Sequence, residues 1–189
     1  NWLEVKNAID FLTGVYRDPR LEEVTLALCA HGLILGGMAL DYDDGFIRAK
    51  IALDSGAAAE KFFAMANALG SWHDLEKYVP GPVGVVREVY AASIGRVVRI
   101  DVRALGMAVV VLGGGRTDPN QKLDYYVGFD RLAGIGMKVD PQTPIARIHA
   151  RDEATAAEAE RRLLAAYVID EDAPEHPVIY SEIPPKGGQ

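Results

Sequence analysis

The chain has 189 residues, 49% of them hydrophobic, and a formal net charge of −7 at pH 7. Such a chain can form one domain, or two small ones, with an ordinary apolar core. The acidic balance argues against a nucleic-acid partner, because that kind of binding depends on clustered Lys and Arg. No stretch approaches the roughly 20 apolar residues of a membrane span, so we also expect no membrane partner.

The cysteine content and the first residue bear on the compartment and on the extent of the chain. Cys29 is the only cysteine and cannot form an internal disulfide, and its apolar helical surroundings predict a buried, unreactive thiol. No signal peptide is visible, so we expect a reducing cytoplasm. The first residue is Asn1 rather than Met, which predicts an incomplete protein or one whose start has been processed.

Residues 1–79 show the apolar periodicity of a helical segment. Gly14 is expected to end the first helix. Asp18 is a candidate N-cap for the second, with Pro19 in the first helical position that its fixed φ suits. The continuation of this helix, residues 24–35, is apolar on almost every side, so we expect it to be buried.

The acidic run that begins at Asp41 has some likeness to a calcium loop, but its spacing excludes an EF-hand. Such a loop needs glycine at its sixth position and glutamate at its twelfth, and these positions hold Phe46 and Ala52. The acidic residues are better explained as the start of a third helix, where the helix dipole favours them. A fourth helix is expected after Gly56, and no metal site is predicted.

The composition changes at Pro80-Gly81-Pro82, which cannot continue a helix and marks the expected boundary between residues 1–79 and 80–189. Beyond it, runs rich in β-branched residues alternate with helical periodicity. The fold class is therefore α/β, or α+β within this chain, with a helical block followed by a mixed-sheet domain. The predicted elements are strands at Val83–Ala91, Arg96–Val102, Val127–Phe129, Lys138–Val139, Ile145–Ala150 and Val168–Ile169, and helices at Ala104–Leu112 and Asp152–Ala166.

The stretch from Asp101 to Gly128 is the most informative part of the sequence. A short apolar helix leads into Gly113-Gly-Gly115 and then Arg116. Three glycines before an arginine could form an anion nest, or could simply stop the helix and start a loop, which is the more frequent use of glycine clusters. The P-loop pattern is not met, because no Lys-Ser or Lys-Thr follows.

This stretch carries a specific resemblance. Asp101-x-Arg103-Ala-Leu-Gly-Met-Ala-Val-Val, Leu-Gly-Gly-Gly-Arg116 and Asp124-Tyr-x-Val-Gly128 resemble the C-terminal domain of thymidine phosphorylases and related pyrimidine nucleoside phosphorylases. Further matching segments extend the resemblance over nearly the whole chain, in the family's order. They are Leu3-Glu-Val-Lys, Phe11-Leu-Thr-Gly, Asp18-Pro-Arg-Leu, Val24-Thr-Leu-Ala-Leu-Cys29 and Pro144-Ile-Ala-Arg-Ile-His-Ala150.

The resemblance implies an enzyme that exchanges the base of a pyrimidine nucleoside for phosphate, giving free base and a pentose 1-phosphate, without a cofactor. The family's Lys-x-Ser-x-Gly-Gly phosphate motif and its base contacts lie in its N-terminal half, and that motif is not found in this chain. No catalytic residue can therefore be assigned. The candidate substrate-binding residues are Arg116, Gly114 and Gly115, in a loop over Gly113–Lys122 that we expect to act as a mobile lid.

Two further family features are expected to be missing here. Some members bind a monovalent cation near the first helix. Leu3 matches one position of that site, but Val15 stands where an acid is needed and cannot ligate a cation. Family enzymes are homodimers joined through an N-terminal lobe, so we expect this chain alone to be a monomer with an exposed apolar patch.

Gly136-Met-Lys-Val139 resembles part of the hammerhead of biotinyl or lipoyl carriers. Lys138, however, occupies the place of an ordinary surface residue, so we expect barrel-sandwich-like strands without a prosthetic group. An alternative function remains open beside the phosphorylase, namely a free-standing binding or carrier-like module that uses the same domain.

Overall fold

The computed structural model describes residues 1–70, 83–116, 118–173 and 177–181. The chain forms two compact units, Asn1–Lys6 with Val79–His176 and Asn7–Tyr78 with Pro177–Gln189. The predicted boundary at Pro80-Gly81-Pro82 lies outside the described residues. Across the described ranges, no helix is long and apolar enough to cross a membrane.

The helices of the first 70 residues begin and end where local chemistry favours it. Asp18 caps the second helix by accepting a hydrogen bond from the Leu21 N–H, and Asp41 caps the third in the same way. Gly14, at φ +79°, follows the last residue of the first helix. These predicted helices are confirmed. They are α1 (Trp2–Thr13), α2 (Pro19–Leu35), α3 (Tyr42–Asp54) and α4 (Ala57–Ala68).

Helix α2 packs against α3 at a point of close backbone approach. A Cβ built on Gly45 of α3 would lie 2.8 Å from the carbonyl oxygen of Ala30, which is itself fully buried in α2. The contact is possible because Gly45 has no side chain, so the two helices can approach more closely than ordinary side chains allow.

The prediction that α2 is buried all round is wrong. Leu28 and Leu35 are 68% and 89% exposed, because only the face of α2 around Ala30 is covered. The prediction of a buried thiol fails for the same reason, since Cys29 lies beside Leu28 and is exposed. An apolar residue pattern on every side of a helix shows which surface could be buried, but it does not show that other elements cover that surface. In α2 one apolar face is not covered.

The unit formed by Asn1–Lys6 and Val79–His176, the sheet unit, contains two small sheets and two helices that follow the first 70 residues. Its elements are β1 (Val85–Tyr90), β2 (Gly95–Ile100), α5 (Val102–Val111), β3 (Gly128–Asp130), β4 (Lys138–Val139), β5 (Pro144–Ala150), α6 (Glu153–Ala166) and β6 (Tyr167–Asp170). In the first sheet the strand order is β1-β5-β3, and in the second it is β4-β2-β6. The predicted α+β fold is confirmed, with no closed barrel among the described residues. The sheets are not mixed as predicted, because every described strand pair is antiparallel.

One apolar core holds this unit together. Ile148 at the centre of β5, Leu163 of α6 and Val97 of β2 are all fully buried in it, so both sheets and α6 share the same core. Asp152 is the N-cap of helix α6, and its carboxylate accepts from the Thr155 N–H. Tyr167 closes the far end of the core, and its buried hydroxyl donates to the carbonyl of Ala133 at 3.0 Å.

Candidate functional site

The glycine loop begins with a hydrogen-bonded helix end. The N–H of Gly113 donates to Val110 O, and the N–H of Gly114 donates to Val109 O, each at 3.0 Å. Gly113 has φ +97°, so the pattern is the Schellman motif that ends many helices. These two N–H groups are bound by α5 and are not open to an anion. The helix-stop interpretation of the glycines accounts for this part of the loop.

The next two residues lie close to the last turn of the helix. A Cβ built on Gly114 would lie 2.8 Å from Val109 Cγ1, and one built on Gly115 would lie 2.5 Å from Val110 Cγ2. Their lack of side chains therefore lets the loop turn tightly against α5. Arg116 follows as an exposed residue, and Thr117 lies outside the described residues.

Asp124 closes the loop at its other end. It is the single polar or charged residue that is buried in the described ranges, with 8% of its surface exposed. Its N–H donates to Gly113 O at 2.9 Å, and its carboxylate accepts from the Tyr126 N–H at 3.1 Å. The other carboxylate oxygen lies 2.5 Å from Nε of Arg151, whose side chain is 72% exposed. Asp124 thus joins the end of α5 to the residue after β5.

A second polar cluster lies on the sheet β1-β5-β3. Arg147 pairs with Asp130 across the strands, with Nε 2.8 Å from Oδ1, and Nη2 contacts the second carboxylate oxygen. Nε2 of His149 lies 3.2 Å from the same Oδ1, although its geometry is not that of a hydrogen bond. Burial would raise the pKa of Asp130, but Arg147 and His149 together hold that pKa well below its ordinary value.

The Asp130 cluster satisfies its own charges. Asp130 receives a two-point contact from Arg147 and lies beside His149, so no cluster charge is left without a nearby opposite partner. We therefore interpret the cluster as a cross-strand ion pair that stabilises the sheet. The sequence pattern does not reveal this cluster, because the three residues come together only through the β3–β5 register.

Two other positions that the sequence singled out lie at the surface. Lys138 is exposed on β4, and Val15 is 73% exposed just beyond α1. Within residues 1–70, 83–116, 118–173 and 177–181 there is no group of three His, Cys, Asp or Glu side chains arranged to hold a metal ion.

The geometry defines the class of this unit as an α+β domain with two antiparallel three-stranded sheets and a glycine loop after its first helix. Residues 86–170 match the family model described as the pyrimidine nucleoside phosphorylase C-terminal domain. Residues 86–170 therefore correspond to the C-terminal domain of this enzyme family, as the sequence resemblance indicated. The matched residues include the glycine loop, Asp124, Arg151 and the Asp130 cluster.

Proposed function

We propose that this chain is the C-terminal part of a thymidine or pyrimidine nucleoside phosphorylase, a pentosyltransferase that acts on a pyrimidine nucleoside and phosphate in the cytoplasm. The match of residues 86–170 to the family domain is the observation that carries this proposal. Within the intact enzyme the domain would form one wall of the substrate cleft. The loop over Gly113–Lys122 would close that cleft as a lid.

Arg116 would provide the anion contact of the lid. It is exposed, and it forms no ion pair with any residue that the structure describes. A guanidinium can donate two parallel hydrogen bonds to a phosphate, so an unpaired arginine on a loop suits this role. Gly114 and Gly115 would serve by keeping the base of the loop narrow beside α5.

The chain by itself should have no phosphorolytic activity. The Lys-x-Ser-x-Gly-Gly phosphate motif is not found among its 189 residues, and a lid cannot replace positioned catalytic groups. Incubation with thymidine or uridine and phosphate should release no free base above a blank. Turnover would refute the proposal that this chain lacks the catalytic groups.

The intact enzyme is proposed to be a homodimer joined through its N-terminal lobe, and this chain is proposed to be a monomer. The exposed Leu28 and Leu35 of α2 are apolar surface of the kind that a covering lobe would bury. Sedimentation of the chain at micromolar concentration should show a monomer, and a tight dimer would contradict this.

The lid role has its own test in a phosphorylase that includes this sequence. Arg116→Ala should raise KM for phosphate more than it lowers kcat, as expected when ground-state binding is lost. Lys122→Ala, at the other end of the same loop, is the matched control for loss of a positive charge and should change KM less. An unchanged KM in Arg116→Ala would exclude the anion contact.

The free-standing module remains the competing hypothesis. Genomic sequence upstream of Asn1 separates the two most simply. A reading frame that continues upstream and encodes Lys-x-Ser-x-Gly-Gly supports the phosphorylase, whereas a frame that begins close to Asn1 supports the binding module.

A further inference from the structure

Asp124 and Arg151 are an unusual pair for this chain, since one partner is buried and the other is mostly in solvent. A buried carboxylate is expensive unless hydrogen bonds and an opposite charge compensate it, and Asp124 has both. Surface ion pairs contribute little to stability, so a buried acid held by an exposed arginine calls for another explanation. Its location at the end of the glycine loop provides one.

Three chain segments meet at the Asp124 carboxylate and its backbone. The Asp124 N–H donates to Gly113 O, which fixes the distance between the first residue of the loop and Asp124, two residues beyond the last. The carboxylate orders the following turn through the Tyr126 N–H and reaches Arg151 beyond the end of β5. Asp124 thus connects the start of the loop through its backbone and the sheet through its side chain.

Arg151 is itself held in place on a rigid part of the unit. A Cβ built on Gly84 would lie 1.9 Å from Arg151 O, so the backbone entering β1 passes directly against it. Val85 and Ala150 are paired in the β1–β5 ladder, and Asp152 is the N-cap of α6. The residues on either side of Arg151 therefore belong to ordered elements, and only its side chain extends to the loop.

We infer that Asp124 and Arg151 are positioning residues that set the placement of the loop carrying Arg116. The start of the loop is held by the end of α5, and the chain just after the loop is held to the sheet by the Asp124–Arg151 pair. The importance of this placement for phosphate rests on the proposed function of Arg116. The placement itself can be tested on this chain alone.

The loop carries its own reporter sites, because trypsin cleaves after Arg116 and after Lys122. We expect Arg151→Ala to speed cleavage at these two bonds about tenfold, the change expected from losing one charge-assisted contact. Asp124→Asn, which keeps an oxygen for Tyr126 N–H but loses the charge, should act in the same direction. Arg151→Lys should restore part of the protection, because it retains a cation.

The matched control is Arg161→Ala, which removes a similarly exposed arginine, 68% exposed, from its pair with Glu158 on α6. It should leave cleavage at the loop at the wild-type rate. The amide hydrogen-exchange rates of β5 and α6 should be the same in every variant as in wild type. Unchanged rates there show that only the loop has loosened and that the unit has not unfolded. High salt should raise the wild-type rate toward that of Arg151→Ala, since an exposed partner is screened.

Equal loop cleavage in wild type and Arg151→Ala would overturn the inference, as would the same increase in Arg161→Ala. Faster exchange throughout β5 and α6 would also overturn it, because the pair would then be a general stabiliser. If the loop loosens as expected while Arg116→Ala leaves KM for phosphate unchanged in the phosphorylase, the positioning role stands and the phosphate role of Arg116 fails.

Discussion

Replacing Gly45 with alanine tests the close packing of α2 and α3 directly. In a helix, alanine is favoured over glycine by about 0.5–1 kcal/mol, so helix propensity alone predicts a more stable protein. The new Cβ, however, would lie 2.8 Å from Ala30 O and 3.0 Å from Ala30 Cα. Both are backbone atoms, which cannot rotate away as a side chain can. Overpacking of this kind costs about 1–3 kcal/mol, so the clash should exceed the propensity gain.

Gly32→Ala provides the matched control. Gly32 lies in α2, and apart from the adjoining residues and the helix's own nearby backbone, no described heavy atom comes within 4 Å of a Cβ built on it. This variant should therefore gain about 0.5–1 kcal/mol from propensity alone. Because both variants share that gain, the difference between their free energies of unfolding isolates the clash, and it should be about 1–3 kcal/mol.

Urea unfolding followed by circular dichroism measures this difference in the full chain. The Gly45→Ala transition should move to lower urea and the Gly32→Ala transition to higher urea, with little change in slope. If Gly45→Ala stabilises the chain as much as Gly32→Ala does, the two helices are not packed as closely as described, and the argument from backbone contact fails.

Three other predictions concern the sheet unit. Leu163→Ala should cost about 2–5 kcal/mol in urea unfolding, because the fully buried Leu163 side chain fills the core, and a loss below about 1 kcal/mol would contradict that packing. The pKa of Asp130 is lowered on folding, so the ionised carboxylate stabilises the folded state. This contribution to the free energy of unfolding is present above the unfolded pKa of about 3.9 and is lost as the pH falls below it. Wild type should therefore lose more stability than Asp130→Asn between about pH 5 and pH 2, and parallel acid curves would refute this. Burial raises the pKa of Tyr167 to about 12. Ultraviolet titration of the folded chain should therefore show a tyrosine step near pH 12 that is absent in Tyr167→Phe, and survival of that step in the variant would contradict the prediction.

The helix ends could be predicted from sequence because they depend on neighbouring residues. Asp18, Asp41 and Asp152 each cap the helix that follows by accepting a hydrogen bond from a backbone N–H three residues further along. Such contacts need no knowledge of distant chain. The same locality explains why the positions of all six described strands were predicted to within a few residues.

Strand pairing depended on distant residues and was not predictable in the same way. Strands β1 and β2 are neighbours in sequence but belong to different sheets, each pairing with strands from the last third of the chain. Without that pairing, Asp130, Arg147 and His149 could not be recognised as one cluster. The buried state of Asp124 likewise depends on Arg151, which lies 27 positions away in the numbering.

The candidate site shows the same division between local and distant information. The sequence placed Arg116 after a helix and three glycines, which the structure confirms. It left open whether those glycines form an anion nest or a helix stop, since only observed N–H partners separate the two. The exposure of Cys29 could not be foreseen either, because periodicity describes the surface of a helix and not what covers it.

The strand orders β1-β5-β3 and β4-β2-β6 have a consequence for synthesis of the protein on the ribosome. Strand β5 lies between β1 and β3 and ends at Ala150. Strand β6, the longer of the two partners of β2, is Tyr167–Asp170 and is made later still. Until these residues emerge, β1, β2 and β3 are made but lack their partners, and their apolar faces are open to other chains. The sheet unit should therefore fold late and all at once, and it should depend on chaperones more than a hairpin-built domain of the same size.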